Sequence, residues 1–127
     1  MMNTMQMKLE LLIVPVSDVD RAKAFYTEKI GFHDDFDQQI NEKLRVVQLT
    51  PPGSACSIAF GVGLTTMQPG SLEGLLMVVS DVRVVREELV KRGTDISEID
   101  VQDWGDFAYF RDPDGNSWSL QQLPKRG

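Results

Sequence analysis

A chain of 127 residues, 42% hydrophobic and 25% charged, has the composition of one globular domain, long enough to bury about two-thirds of its unfolded surface. Its net charge of -6 argues against nucleic acid or an anionic membrane as a partner, because both are held by clustered Lys and Arg. The single Cys56 leaves no internal disulfide and points to a reducing cytoplasm, and no apolar run reaches the ~18 residues that a membrane span requires.

Met1 to Met7 reads as a loose lead-in without the apolar stretch of a secretion signal. An apolar strand is expected over residues 9–16. Asp18 is then positioned to cap a helix, since its carboxylate can accept an orphan backbone N–H. Val19, Ala22, Phe25 and Tyr26 recur at helical spacing, and Gly31 supplies the left-handed exit. His33, the only histidine, follows as a surface or strand-edge residue. Residues 45–50 read as a strand, Pro51-Pro52-Gly53 as a turn and residues 57–60 as a closing strand. After Gly61 to Gly70, a Gly- and Pro-containing linker, the pattern starts again. An apolar run over 75–79 leads to Asp81 as helix cap and Gly93 as helix exit. Strands are expected over 107–111 and 118–123, joined by the turn Asp112-Pro113-Asp114-Gly115.

The restart is a true internal repeat. Val16-Ser17-Asp18-Val19 returns as Val79-Ser80-Asp81-Val82 at an offset of 63, and the turn glycines Gly53 and Gly115 are 62 apart. A βαβββ unit therefore occurs twice in a single domain covering 1–127: repeat one over about 8–60, a linker over 61–70, and repeat two over about 71–123.

Pro15-Val16-Ser17-Asp18-Val19-Asp20-Arg21-Ala22-Lys23-Ala24-Phe25-Tyr26 resembles the opening strand-to-helix element of the vicinal-oxygen-chelate superfamily, which includes glyoxalases, bleomycin-resistance proteins and extradiol dioxygenases. Lys29-Ile30-Gly31-Phe32 is similar to that family's helix exit, and Phe110-Arg111-Asp112-Pro113-Asp114-Gly115-Asn116 to its last hairpin turn. The resemblance spans about residues 8 to 123. It implies an α+β fold in which two βαβββ repeats form an open, eight-stranded, cup-like sheet with the helices outside. It does not imply one activity, because the fold hosts several chemistries.

In the metal-binding members a ligand sits seven residues before the Asp that opens each helix, and another midway along each closing strand. On this chain those positions fall on Leu11, Gly74 and Ser119, with Ser57 or Ala59 as the fourth. None has a carboxylate, imidazole or thiol to offer a divalent cation, so no metal or other cofactor is expected. Glu10 and Glu73 each stand one residue before a vacant position, but strand alternation aims them at the opposite face. They read as solvated or salt-bridged carboxylates. Cys56 reads as a small packing residue, and one histidine cannot supply both a metal site and a Ser–His–Asp set.

Alternation assigns Leu9, Leu11, Ile13, Gly74, Leu76 and Val78 to the cup. Ser57, Ala59, Ser119 and Gln121 join them from the closing strands. The middle strands are expected to add Arg45, Val47 and Leu49, then Phe107, Tyr109 and Arg111, with Trp104 in the loop that leads in. Such a wall suits a small organic ligand with an apolar body and one polar handle, unless its own side chains fill the cup. Two function classes follow. One is a metal-independent binding or sequestering protein, as in the bleomycin-resistance branch, whose segments Trp104-Gly105 and Arg111-Asp112-Pro113 resemble; the acidic charge would then favour a cationic drug. The other is a metal-free lyase or isomerase using Tyr109, Arg45, Arg111 or a glutamate. Open strand edges on each four-stranded half predict a two-fold homodimer.

Overall fold

The structure, a computed structural model, describes residues 4–125. Its elements run β1 (Leu11–Ile13), α1 (Val19–Ala24, continuing as π-helical turns over Phe25–Ile30), β2 (His33–Asn41), β3 (Leu44–Thr50) and β4 (Ser57–Val62). The second half repeats them as β5 (Leu75–Val78), α2 (Val82–Lys91), β6 (Asp100–Gln102), β7 (Gly105–Arg111) and β8 (Ser117–Gln122). The first strand is shorter than its apolar run suggests: only three residues pair with β4, and 9–10 stay exposed. Among the described residues no helix is long and apolar enough to cross a membrane.

Both helices begin as the sequence indicates. The Asp18 carboxylate accepts the Arg21 N–H at 3.0 Å, and that of Asp81 accepts the Arg83 and Val84 N–H groups at 3.1 and 3.2 Å. The π-helical exit arises because Gly31 (φ 91°) and Phe32 both donate to the Tyr26 carbonyl, at 2.9 and 2.8 Å. The widened turn leaves Tyr26 fully buried.

Four strands order as β1-β4-β3-β2 in one sheet and β5-β8-β7-β6 in the other. Pairing is parallel for β1 with β4 and β5 with β8, and antiparallel elsewhere. The result is an open α+β arrangement of two βαβββ units with no closed barrel. One apolar core joins the helix side of both sheets, from Val14, Val47, Leu49 and Phe60 to Leu89, Phe110, Trp118 and Leu120. Tyr26 sits at its centre, with ring centroids 5.5 Å from Phe32, 5.9 Å from Phe60 and 5.8 Å from Trp118. The opposite face of each sheet carries no helix.

The seam between the units is asymmetric. Where the two helices end, the contacts are reciprocal: Lys29 Nζ donates to the Gly93 carbonyl and Arg92 Nη1 to the Lys29 carbonyl, each at 3.3 Å. At one side of the seam the turn over 112–116 is clamped onto the end of the first strand. Asn116 Nδ2 donates to the Pro15 carbonyl at 2.8 Å, and Gly70 N–H donates to the same carbonyl at 3.1 Å. Beneath it the buried Asp112 carboxylate accepts Tyr26 Oη at 2.7 Å, Asn116 Nδ2 at 2.8 Å, and the backbone N–H groups of Asp114, Gly115 and Asn116. Trp118 Nε1 in turn donates to Tyr26 Oη at 2.9 Å. Burial foremost, and then the charge of Asp112, push the Tyr26 hydroxyl pKa far up, so it stays a donor. At the opposite side, Leu89 stands where the repeat puts a counterpart of Tyr26. The turn over 51–54 makes no such clamp there and faces β5 across an apolar groove of about 500 Å³, lined by Ile30, Phe32, Met77, Val79 and Leu89 among others.

Candidate functional site

Cross-strand register decides which side chains share the helix-free face, because directly paired residues point the same way. In the second sheet Tyr109 pairs with Ser119, Phe107 with Gln121, Arg111 with Ser117, and Leu76 and Val78 with Ser119 and Gln121. Ala108 and Phe110 alternate into the core. Phe107, Tyr109, Arg111, Ser119 and Gln121 thus lie together on the open face, with the Phe107 and Tyr109 rings stacked at 6.1 Å. Trp104 is 62% exposed in the turn between β6 and β7, and its carbonyl accepts Gln121 Nε2 at 2.9 Å.

In the first sheet Leu11 pairs with Ser57 and Ile13 with Ala59, on the open face. The middle strand reverses the expectation. Val47 pairs with Phe60 and Leu49 with Ile58, so Arg45, Val47 and Leu49 point to the helices, while Val46, Gln48 and Thr50 face outward. Val47 and Leu49 are core residues with no exposure. Arg45 reaches the margin of the helix side, donating to Asp20 at 2.9 Å and to both Asp37 oxygens at 3.0 and 2.8 Å. Contrary to the expectation from alternation, Arg45, Val47 and Leu49 do not line the open face.

The cause is a one-residue slip between the repeats. From Leu49 to its partner Ile58 the chain advances nine positions, but from Phe110 to its partner Trp118 only eight, so Leu49 matches Phe110. Thr50, not Leu49, is thus the counterpart of Arg111, and a slip of one exchanges the faces of a strand. The same register makes Ala59, opposite Ile13, the counterpart of Ser119, opposite Leu76.

The Arg45 cluster carries a pH dependence. Hydrogen bonds from Arg45 foremost, and from Lys23, hold the Asp37 carboxyl down to about 2 against the opposing effect of burial. Its stabilisation is complete above the ordinary Asp value of 3.8 and fades as pH falls through about 2. At 22% side-chain exposure it is worth on the order of 1–2 kcal/mol after solvent screening. Asp37→Asn is expected to flatten the fall in thermal midpoint over that range, and parallel curves for the two proteins would refute the assignment.

Sequence reasoning missed the open-face contribution of β2. His33 Nδ1 lies 2.9 Å from Asp35 Oδ1, Asp35 accepts from Gln48 and Thr50, and Thr50 Oγ1 meets Ser57 Oγ at 2.6 Å. These bonds, led by that from Thr50, hold the Asp35 carboxyl below its usual range. Ser57 and Ala59 are buried beneath their neighbours on this face, while Leu11 remains exposed. The second sheet instead bears an open hollow of about 670 Å³, edged by Asp95, Ser97, Tyr109, Arg111, Ser117 and Ser119. Asp95 and Ser97 belong to irregular chain tethered to β7 by the Ile96–Phe110 bridge and by Ser97, whose N–H donates to the Tyr109 carbonyl and whose Oγ accepts the Tyr109 N–H, each at 2.9 Å; such a segment leaves no periodic signal.

Leu11, Gly74, Ala59 and Ser119 offer no carboxylate, imidazole or thiolate, and Glu10 and Glu73 are exposed one residue away. Among the described residues no group of three or more His, Cys, Asp or Glu is arranged to hold a metal ion. The donor set does not fit the metal that many proteins of such a fold carry.

Residues 8–120 match the sequence profile of the Glyoxalase/Bleomycin resistance protein/Dioxygenase superfamily. The chain belongs to this superfamily. Among solved structures it is similar to TnmS3, an antibiotic binding protein from Streptomyces sp. CB03234, with 37% identity, a TM-score of 0.86, and coverage of 96% of this chain and 100% of that one. A glyoxalase/bleomycin resistance protein from the same Streptomyces is 39% identical, with a TM-score of 0.80 over 91% of this chain and 100% of its own. The Bacillus subtilis (strain 168) protein YetH, itself uncharacterised, is 27% identical over 113 residues, which is 86% of this chain and 92% of YetH.

Proposed function

We propose that this superfamily member is a metal-independent, cytoplasmic binding protein that sequesters a small organic molecule of antibiotic type on the open faces of its sheets, as a homodimer. The observation that carries this reading is the stacked Phe107–Tyr109 pair, flanked by the exposed apolar Leu76 and Val78 and the polar Arg111, Ser119 and Gln121. An apolar platform with a few polar groups at its border recognises an organic body without needing a reaction. The hydroxyl of Tyr109 is committed to Asp100, which raises its pKa and leaves no free acid–base couple with it. The similarity to an antibiotic binding protein supports the same reading.

Assembly follows from the strand edges. β1 pairs only with β4 and β5 only with β8, so each presents one unpaired edge. Leu11, Leu12, Leu76 and Val78 are exposed beside those edges. A second copy, isologously paired, covers this apolar strip and closes a site from two open faces.

Native mass spectrometry of untagged protein tests the parts together. The expected species is twice the 14.3 kDa chain, with a non-covalently held organic molecule and no stoichiometric transition metal. A metal held by three or more side chains would overturn metal independence. A species of one chain's mass, unchanged on tenfold concentration, would overturn the dimer, and turnover of the bound molecule would replace sequestration by catalysis.

A further inference from the structure

Resting on the binding reading above, we propose that the ligand's polar handle is an oxyanion, such as a carboxylate, sulfonate or phosphate, seated on Arg111 with Ser117 and Ser119. The chain has 19 acidic and 13 basic residues; of its lysines only Lys23 has a carboxylate within 4 Å among the described residues, but the arginines are almost all paired. Every other described arginine has a carboxylate within 4 Å: Arg21 has Asp114, Arg45 has Asp20 and Asp37, Arg83 has Asp106, Arg86 has Glu98 and Arg92 has Glu88. Arg111 has none among the described residues. Its one hydrogen bond, from Nη1 to the Gly115 carbonyl at 3.0 Å, orients the guanidinium and leaves the rest of its fork uncommitted.

The neighbouring acids are committed elsewhere. Asp112 faces the core, where Tyr26 and Asn116 hold it. Asp100 accepts from Tyr109 and Gln102. Of the two acids that border the hollow, Asp112 is held in this way, whereas Asp95, exposed at the edge, has neither a side-chain hydrogen bond nor a cation within 4 Å among the described residues. Ser117, directly across from Arg111, and Ser119, one step along the same strand face, border the same hollow of about 670 Å³ and can add hydroxyl donors. A guanidinium fork with two hydroxyls matches the oxygens of an oxyanion, and charge-assisted bonds of this kind are about twice as strong as neutral ones. Tyr109, stacked on the buried Phe107, continues from Ser119 as the surface for an apolar body. The net charge of -6 does not oppose this, because at contact distance one guanidinium outweighs charges beyond a screening length of about 8–10 Å.

A matched pair of fluorescent probes tests the proposal: 8-anilinonaphthalene-1-sulfonate, and N-phenyl-1-naphthylamine, which keeps the aromatic body and lacks the sulfonate. In titrations at about 0.1 M salt, where that screening length applies, the sulfonate is expected to bind about tenfold tighter or more, corresponding to a charge-assisted bond of at least about 1.4 kcal/mol. Arg111→Gln is expected to remove that preference while changing the neutral probe by less than about twofold, and Arg111→Lys to keep part of it. Circular dichroism checks that each variant is folded. Equal affinity for the two probes, or a preference that survives Arg111→Gln, overturns the oxyanion site but leaves the binding reading standing. Binding of neither probe overturns both. If Asp95→Asn tightens the sulfonate by more than about tenfold, Asp95 occupies the Arg111 fork in solution, and the open fork is refuted.

Discussion

Asp112→Ala is expected to lower the free energy of unfolding by on the order of 3–5 kcal/mol, the largest loss for any single polar residue in the protein. Five donors converge on this one buried carboxylate: the Tyr26 hydroxyl, the Asn116 amide and three consecutive backbone N–H groups. Alanine removes the side-chain acceptor and strands the Tyr26 hydroxyl and the Asn116 groups where water has no access, since both residues are fully buried. The effect also crosses the seam, because Asn116 carries the contact to Pro15 and Tyr26 carries the one from Trp118. Asp112→Asn keeps the volume and one acceptor oxygen but turns the other end into a donor facing donors, so an intermediate loss is expected. Urea denaturation followed by far-ultraviolet circular dichroism gives the numbers. A loss below about 1 kcal/mol for alanine would mean that water replaces the carboxylate, and the clamp would not be a source of stability.

Gly70→Ala should cost about 3 kcal/mol or more, although it adds a single methyl group. Gly70 holds φ at 80°, a region that L side chains enter at a cost. The added carbon would stand 2.0 Å from the Asp114 carbonyl oxygen, a backbone atom that cannot swing away. Relief requires moving either the turn over 112–116 or the Gly70 N–H off the Pro15 carbonyl, so the hydrogen bonds of the clamp are lost along with the geometry. Gly53→Ala is the control: φ is similar at 78°, but nothing lies within 4 Å of the added carbon, so only the conformational cost of about 1 kcal/mol applies. The difference in urea midpoint between the two variants isolates the steric part. Equal midpoints would show that the turn yields freely.

Much of the architecture is legible in the chain because its signals are local. Asp18 and Asp81 cap helices through their own side chains, Gly31 and Gly93 end them, and the repeated Val-Ser-Asp-Val quartet announces that one unit occurs twice. The faces of the second sheet follow as well, since Phe110 and Trp118 are the large apolar members of alternating strands and enter the core. The middle strand of the first sheet was not legible by transfer from its repeat, because the offset between units falls from 63 at Ile13 and Leu76 to 60 at Ala59 and Ser119. Its own composition did carry the answer. Gln48 and Thr50 are the polar series and Val47 and Leu49 the apolar one, and Arg45 misled only because it meets Asp37 at the edge of the helix side. The hollow beside Arg111 depends on where irregular chain over 94–99 is tethered, and that is a tertiary fact with no period to announce it.

The one-sided seam has a mechanical consequence. Covalent linker and polar clamp meet at the same spot, the Pro15 carbonyl, which receives both Gly70 and Asn116. The turn over 51–54 and β5 instead face one another across the apolar groove, with no hydrogen bond between them among the described residues. Load on the seam is therefore carried unevenly: parting the two units at Pro15 breaks hydrogen bonds, whereas parting the walls of the groove only wets apolar surface.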